Sequence, residues 1–250
     1  MKRKKVLALC AMALSSMLFA DQHGTHWGYT GHEAPEHWGV LSPEYKMCKE
    51  GLSQSPIDIS KKVTVAAQGL EAVEFDYKTD TESIINNGHT VQVNFKPGSS
   101  IKLDGIVFDL KQVHFHTPSE NTIEGKRFPL EAHFVHASAD GKLAVVAVLL
   151  EEGTANEALD AIWPVMPKKK AKTGRFERPF GTMSALLPQE RSYYRFSGSL
   201  TTPPCSEGVR WIVMKQYVSL SKEQAKVFFD LMEGANSRPV QPINARKVLH

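Results

Sequence analysis

Cysteine is scarce in this 250-residue chain: there are three, and one of them, Cys10, sits inside an apolar run near the N-terminus. Only Cys48 and Cys205 remain beyond that run. Long hydrophobic runs are scarcer still. After residues 6–19 none approaches the roughly 20 apolar residues that a bilayer-crossing helix needs. No internal repeat and no low-complexity linker divides the rest, so one domain is expected over residues 21–250. A charge surplus is lacking as well. The formal charge of +3, less the four basic residues Lys2, Arg3, Lys4 and Lys5 that precede the apolar run, leaves −1 for the remainder. That balance gives no reason to expect nucleic acid as a partner. Lys168, Lys169 and Lys170, with Lys172, Arg175 and Arg178 nearby, lack interleaved aromatics and read as a solvated loop.

The N-terminus has a pattern of its own. A basic head, an apolar run too short for a bilayer span and the small residue Ala20 before a polar stretch make residues 1–20 a secretory signal peptide, cut after Ala20. Bulky Leu9 before Cys10 argues against a lipoprotein. The mature protein is therefore expected to be exported and periplasmic, with no membrane span. In an oxidising compartment the pair Cys48 and Cys205 is most simply a disulfide, the alternative being two free buried thiols. Closing a loop of about 160 residues stabilises by up to roughly 5 kcal/mol on chain-entropy grounds.

Beyond residue 56 the pattern is mostly strands separated by turn signals. Residues 73–77 and 90–95 alternate, with Asn86-Asn87-Gly88 and Lys96-Pro97-Gly98 as turns; residues 106–116 hold strand pieces, and residues 129–137 form a strand. Residues 143–150 are almost continuously apolar, as in a strand buried on both faces. Helices are expected over residues 156–165 and over 221–232 with Ser221 as cap. The segment 22–56, rich in His, Gly, Pro and Trp, should wrap the surface as loop and short turns. The fold class is predominantly β: a single domain with a large central, mostly antiparallel twisted sheet and a few peripheral helices.

Candidate chemistry begins at KQVHFHTPSE, residues 111–120. His114 and His116 are two apart in a strand, so both rings project from one face, about 6.5 to 7 Å apart along the backbone. His133 lies in a strand close enough in sequence to return antiparallel beside the first and bring a third imidazole to that face. Three neutral imidazoles with an open fourth corner suit catalytic zinc, since a structural site closes that corner with a protein ligand. Glu131 shares the face of His133 and can accept the imidazole N–H that the metal does not use. His136 has the opposite parity and is expected to be a hydrogen-bonded core histidine. His23, His26, His32 and His37 read as surface-loop residues in preference to an accessory metal site or an auxiliary proton relay.

QVHFHTPSE, then LEAHFVH, SGSLTTPPC and GVRWIV, together with WGY at Trp27, PEHW at Pro35, QSPIDI at Gln54, NNGH at Asn86 and RPVQP at Arg238, make an ordered set spanning residues 27–242. That set resembles an α-class carbonic anhydrase of the secreted bacterial type. The resemblance implies the α-carbonic anhydrase fold and a zinc lyase that hydrates carbon dioxide reversibly to bicarbonate and a proton, by attack of a zinc-bound hydroxide. It implies Zn2+ on His114, His116 and His133, with Gln112 supporting His114. Thr201 matches the threonine that accepts from the hydroxide and donates to a buried carboxylate, and Glu120 matches that carboxylate.

The same resemblance places Thr202 against bicarbonate and puts the apolar carbon dioxide pocket at Val135, Val145, Leu200, Val209 and Trp211. His89 matches the proton shuttle, a role suited to a group that titrates near neutrality. Cys205, directly after Thr-Thr-Pro-Pro, is typical of secreted members, and its pairing with Cys48 would brace the loop carrying Thr201. A homodimer is an admissible assembly. Two positions depart from common patterns: Asn121 stands where many members have histidine, which leaves the packing behind the metal strands open, and Lys111 occupies a rim position that is often apolar. The competing reading is a non-catalytic zinc-binding protein of the same fold, which needs neither the Thr201–Glu120 pair nor His89.

Overall fold

The computed structural model describes residues 25–78, 80–170, 172–174 and 183–250. The expected signal peptide, His23, Arg175 and Arg178 lie outside the described residues. A 13-stranded sheet forms the body, and its main path runs Lys172–Gly174, Thr81–Asn86, Val91–Phe95, Ile106–His116, Leu130–Ser138, Leu143–Glu152, Glu207–Met214, Tyr193–Ser199, Val248–Leu249 and Thr64–Val65. Most neighbours are antiparallel, as expected. The sheet is nevertheless mixed, because Leu143–Glu152 meets Glu207–Met214 and Val218–Leu220 in parallel, as Val248–Leu249 meets Thr64–Val65.

Leu143–Glu152 sits at the middle because both of its faces are apolar. Ala144, Val146, Val148 and Leu150 enter one core with Phe134, Ile212 and Met214. Val145, Ala147 and Leu149 enter a second core with Val135, Val209 and Trp211. The period-two geometry of a strand converts a continuous apolar run into two cores separated by one sheet.

Ile106–His116 is one strand of 11 residues rather than separate pieces. A register shift between Leu110 and Gln112 opposite Leu130–Ser138 marks a bulge at Lys111. Leu110 and Val113 therefore face the same core despite their odd spacing, and Gln112, His114 and His116 share the other face. The bulge resets the phase of the strand and aims the histidines.

Helix Glu157–Ile162 is capped by Asn156, whose side chain accepts from Ala158 N and Leu159 N. It is shorter than expected, since Trp163–Val165 tightens into a 3-10 turn at Pro164, which has no N–H for the next helical bond. Ser221 caps Lys222–Leu231 in a capping box with Gln224. Short helical turns carry the N-terminal segment, pinned by fully buried Trp38, whose Nε1 donates to Gly28 O at 2.8 Å and Glu33 O at 2.9 Å.

Candidate metal centre

Adjacent antiparallel strands bring the three histidines together. His114 is directly opposite His133, and His116 is opposite Glu131. Ring centroids are 4.9 Å apart for His114 and His116, 5.2 Å for His114 and His133, and 4.7 Å for His116 and His133. One nitrogen from each ring lies within 4.8 Å of the others, and this is the metal-capable cluster found among the described residues.

The far nitrogen of each ring is already engaged. His114 Nδ1 meets Gln112 Oε1 at 2.8 Å, His116 Nδ1 meets Asn236 O at 2.8 Å, and His133 Nε2 meets Glu131 Oε1 at 2.9 Å. These acceptors fix the tautomers, leaving His114 Nε2, His116 Nε2 and His133 Nδ1 as lone-pair donors. Burial holds the proton affinity of His114 and His133 well below the usual histidine range and lowers that of His116, with neighbouring rings adding to the effect on His114 and His133. The rings are neutral at neutral pH, so a metal ion need not displace protons from them.

Two buried atoms test the fit to a cation. His116 Nε2 and Glu120 Oε2 have no hydrogen-bond partner among the described residues, and they are 3.5 Å apart. An orphaned buried nitrogen beside an orphaned carboxyl oxygen is costly in an apolar interior, and a dication held by the three rings would relieve both. The donor set is three imidazoles with no thiolate, which suits zinc.

Glu120 is fully buried and its carboxyl is pushed up to about 8 by that burial, against the Arg238 backbone N–H, a Thr201 side-chain hydrogen bond and the Arg238 charge. Arg238 N donates to Glu120 Oε1 at 2.8 Å. Its guanidinium binds Gln54 Oε1, Ser55 O and Cys48 O, tying the N-terminal segment to this carboxylate. Tyr29 brings a third orphaned buried atom, its hydroxyl, near by, with its pKa raised by burial and by the Glu120 charge.

Glu131 is saturated. Its Oε2 accepts from Glu120 N at 2.7 Å and Asn121 N at 2.8 Å, and its Oε1 accepts from Asn121 Nδ2 at 2.6 Å as well as from His133. Asn121 fills the place left open in the sequence reading, since its Oδ1 also accepts from Ile57 N at 3.2 Å.

Val135, Val145 and Trp211 stand side by side across three adjacent strands, and Trp211 packs edge-on to the His133 ring at 4.9 Å. Val209 and Leu200 belong to the same apolar cluster. Thr201 is buried and Thr202 half-buried in the loop after Tyr193–Ser199. Cys48 and Cys205 form a disulfide with Cα atoms 5.0 Å apart, joining Met47–Glu50 to that loop.

His89 follows a turn in which Asn87 Oδ1 accepts from His89 N and Thr90 N, both at 2.9 Å. Its ring stacks on Trp27 at 3.7 Å. Asn236 links this turn to the metal centre: Nδ2 donates to His89 O at 2.9 Å while its own carbonyl holds His116. His136 points to the opposite face, where its Nε2 meets the Tyr77 hydroxyl at 2.7 Å. Of the N-terminal histidines, exposed His26 pairs with Glu33 at 2.9 Å.

Sequence reasoning missed Asn236, Arg238 and Tyr29 as individuals. Asn236 serves His116 through a backbone carbonyl, which no residue type announces.

Residues 33–250 match the protein family described as eukaryotic-type carbonic anhydrase. A carbonic anhydrase of Pectobacterium carotovorum is 46% identical over 250 residues, covering all of both chains. One from Neisseria gonorrhoeae is 47% identical over 247 residues, 98% of this chain and 94% of its own. The solved α-carbonic anhydrase of Thermovibrio ammonificans, in complex with the inhibitor sulfanilamide, is similar with a TM-score of 0.89 and 49% identity, over 91% of this chain and 100% of that one.

Proposed function

Since the chain belongs to the eukaryotic-type, or α, carbonic anhydrase family, we propose that His114, His116 and His133 hold zinc at the site of catalysis. The protein is an enzyme, a carbonic anhydrase that hydrates carbon dioxide reversibly to bicarbonate and a proton. The observation that carries the residue assignment is the convergence of three imidazole nitrogens within 4.8 Å while each far nitrogen is held by Gln112, Asn236 or Glu131. Zinc bound there supplies a Lewis acid that makes a water molecule acidic enough to ionise near neutral pH, the chemistry for which this family is itself the type example.

The chain's own residues direct the attack. Burial alone would keep the Glu120 carboxyl protonated near neutral pH, and a bound dication beside it would favour the ionised form; an ionised carboxylate only accepts hydrogen bonds, so Glu120 would accept from the Thr201 hydroxyl and leave the threonine oxygen as an acceptor. Thr201 would then accept from the attacking oxygen and so hold that oxygen's lone pair toward the substrate. Carbon dioxide carries no charge or net dipole, and the row Val135, Val145 and Trp211, with Leu200 and Val209, offers it apolar surface. Thr202 lies next to Thr201 to contact bicarbonate. His89, half-buried at its turn, takes the proton outward to buffer.

Residues 1–20 serve as an export signal cut after Ala20, and the periplasm is the proposed compartment. The Cys48–Cys205 disulfide accords with an oxidising environment. Elemental analysis of the purified mature protein tests the metal assignment: one zinc per chain is expected, lost in His133→Ala, and a full zinc complement in that variant contradicts it.

A further inference from the structure

The sheet carries a second polar feature on the face away from the metal centre. On Glu207–Met214, Val209, Trp211 and Val213 enter the core next to the histidines, so Arg210 projects to the opposite face with Ile212. Arg210 is directly opposite Ser197 on the neighbouring strand. On the far side of Ser197, Leu249 pairs with Arg195 in antiparallel register. Lys247 directly precedes the strand Val248–Leu249 and lines the same recess as Ser197 and Arg210, so an exposed serine shares that recess with two cations.

These groups line a recess of about 470 Å³ with Lys142, Arg195 and Gly208. Two of its four cations are neutralised: Arg195 by both oxygens of Asp104, and Lys142 by Asp140 at 2.6 Å. The other two make no direct ion pair. Arg210 lies over the Phe108 ring at 5.5 Å within the field of Asp104, whose carboxyl Arg195 and Arg210 both hold below its usual range, and neither Arg210 nor Lys247 has a carboxylate oxygen within 4.0 Å among the described residues. The Ser197 hydroxyl also has no hydrogen-bond partner there. Gly208, at φ 91, sits where the register slips from Gly198↔Val209 to Ser199↔Glu207, and a Cβ built on it would meet nothing within 4 Å, so the recess stays open at that end.

We propose that Arg210, Ser197 and Lys247 form a binding site for a phosphate group, as inorganic phosphate or a phosphomonoester. A guanidinium fork, an ammonium and a hydroxyl donor match the charge and the several oxygens of a tetrahedral dianion better than those of a planar monoanion such as bicarbonate. The recess leaves room for the organic remainder of an ester. Occupancy ties together three strands, one bearing Val209 and Trp211 and another leading into Thr201.

Isothermal titration with inorganic phosphate at matched ionic strength tests this, using both zinc-loaded and chelator-stripped protein so that an anion at the metal is told apart. One phosphate per chain is expected in both forms, weakened about 10-fold or more by Arg210→Gln and by Lys247→Gln, the effect of losing one charge-assisted contact. A Ser197→Asp variant, which places a carboxylate in the recess with the cations, should lose phosphate binding and melt no lower than wild type in phosphate-free buffer. Absence of binding to the stripped protein, or binding retained by all three variants, overturns the proposal. Vesicles of phosphatidylcholine with and without phosphatidic acid identify the source: sedimentation with phosphatidic acid that free phosphate reverses assigns a lipid headgroup, and phosphate binding without sedimentation assigns a soluble phosphate.

Discussion

His116 Nε2 and Glu120 Oε2 face each other across 3.5 Å of protein interior, and neither atom has a hydrogen-bond partner among the described residues. The fold thus maintains a nitrogen lone pair and a carboxyl oxygen without compensation in the place where three imidazoles converge. An energetic debt of this kind is expected where a cation completes the site.

Metal removal should therefore lower stability. A ligand present at about 1,000 times its dissociation constant stabilises by about 4 kcal/mol. For a domain of this size that is on the order of 10 °C in Tm. Calorimetry of zinc-loaded and chelator-stripped protein measures it, and coincident melting curves would remove the compensation argument.

Acid should destabilise the stripped chain through His136. Burial first, against backbone hydrogen bonds to Ala144 and Phe134, lowers its pKa to about 3. The unfolded chain holds the proton more tightly, so this contribution is complete above the unfolded pKa of about 6.5 and is lost as pH falls from there toward 3. Each such histidine adds a slope of at most about 1.4 kcal/mol per pH unit. Glu120 acts in the opposite sense in the stripped chain, since its carboxyl is raised to about 8 and its destabilisation is relieved as pH drops toward the unfolded value. Comparing urea midpoints of wild type and His136→Gln between pH 7 and 5 cancels the Glu120 part; equal slopes would count against the His136 assignment.

His89→Ala should slow turnover by about 10²-fold in weak buffer, the low end for a positioned proton-transfer group, and be rescued by added imidazole. Loss that is equal at every buffer concentration would take the shuttle role away from His89.

Breaking the Cys48–Cys205 bond should cost about 2–5 kcal/mol. Urea unfolding with and without reductant reads this, alongside a thiol assay on the exported protein that should find no free thiol. Two titratable thiols in that protein would contradict the pairing.

The triad and its Glu131 support were legible because strand parity is simple: positions 114 and 116, and 131 and 133, must share faces, and 136 must not. The same parity concealed the bulge. In IVFDLKQVHFH the apolar phase jumps between Leu110 and Val113, and that jump is the signature of an inserted residue at Lys111. Tyr193–Ser199 was less visible, because its YYRFSGS alternation is interrupted by Arg195 pairing with Asp104 and by Gly198, where a Cβ would strike Ser55 Oγ. Asn236 and Arg238 act over more than a hundred residues of sequence separation through backbone groups, a relationship that only the folded chain reveals.

Stopped-flow hydration of carbon dioxide is the most direct test of the central claim, that zinc at the three histidines and the Thr201–Glu120 pair together carry the reaction. Zinc-loaded protein should be fast, stripped protein should match buffer until zinc is restored, and Thr201→Val should lose about 10²-fold or more in kcat/KM while keeping its zinc. Zinc-loaded protein no faster than buffer, or Thr201→Val as fast as wild type, would contradict it.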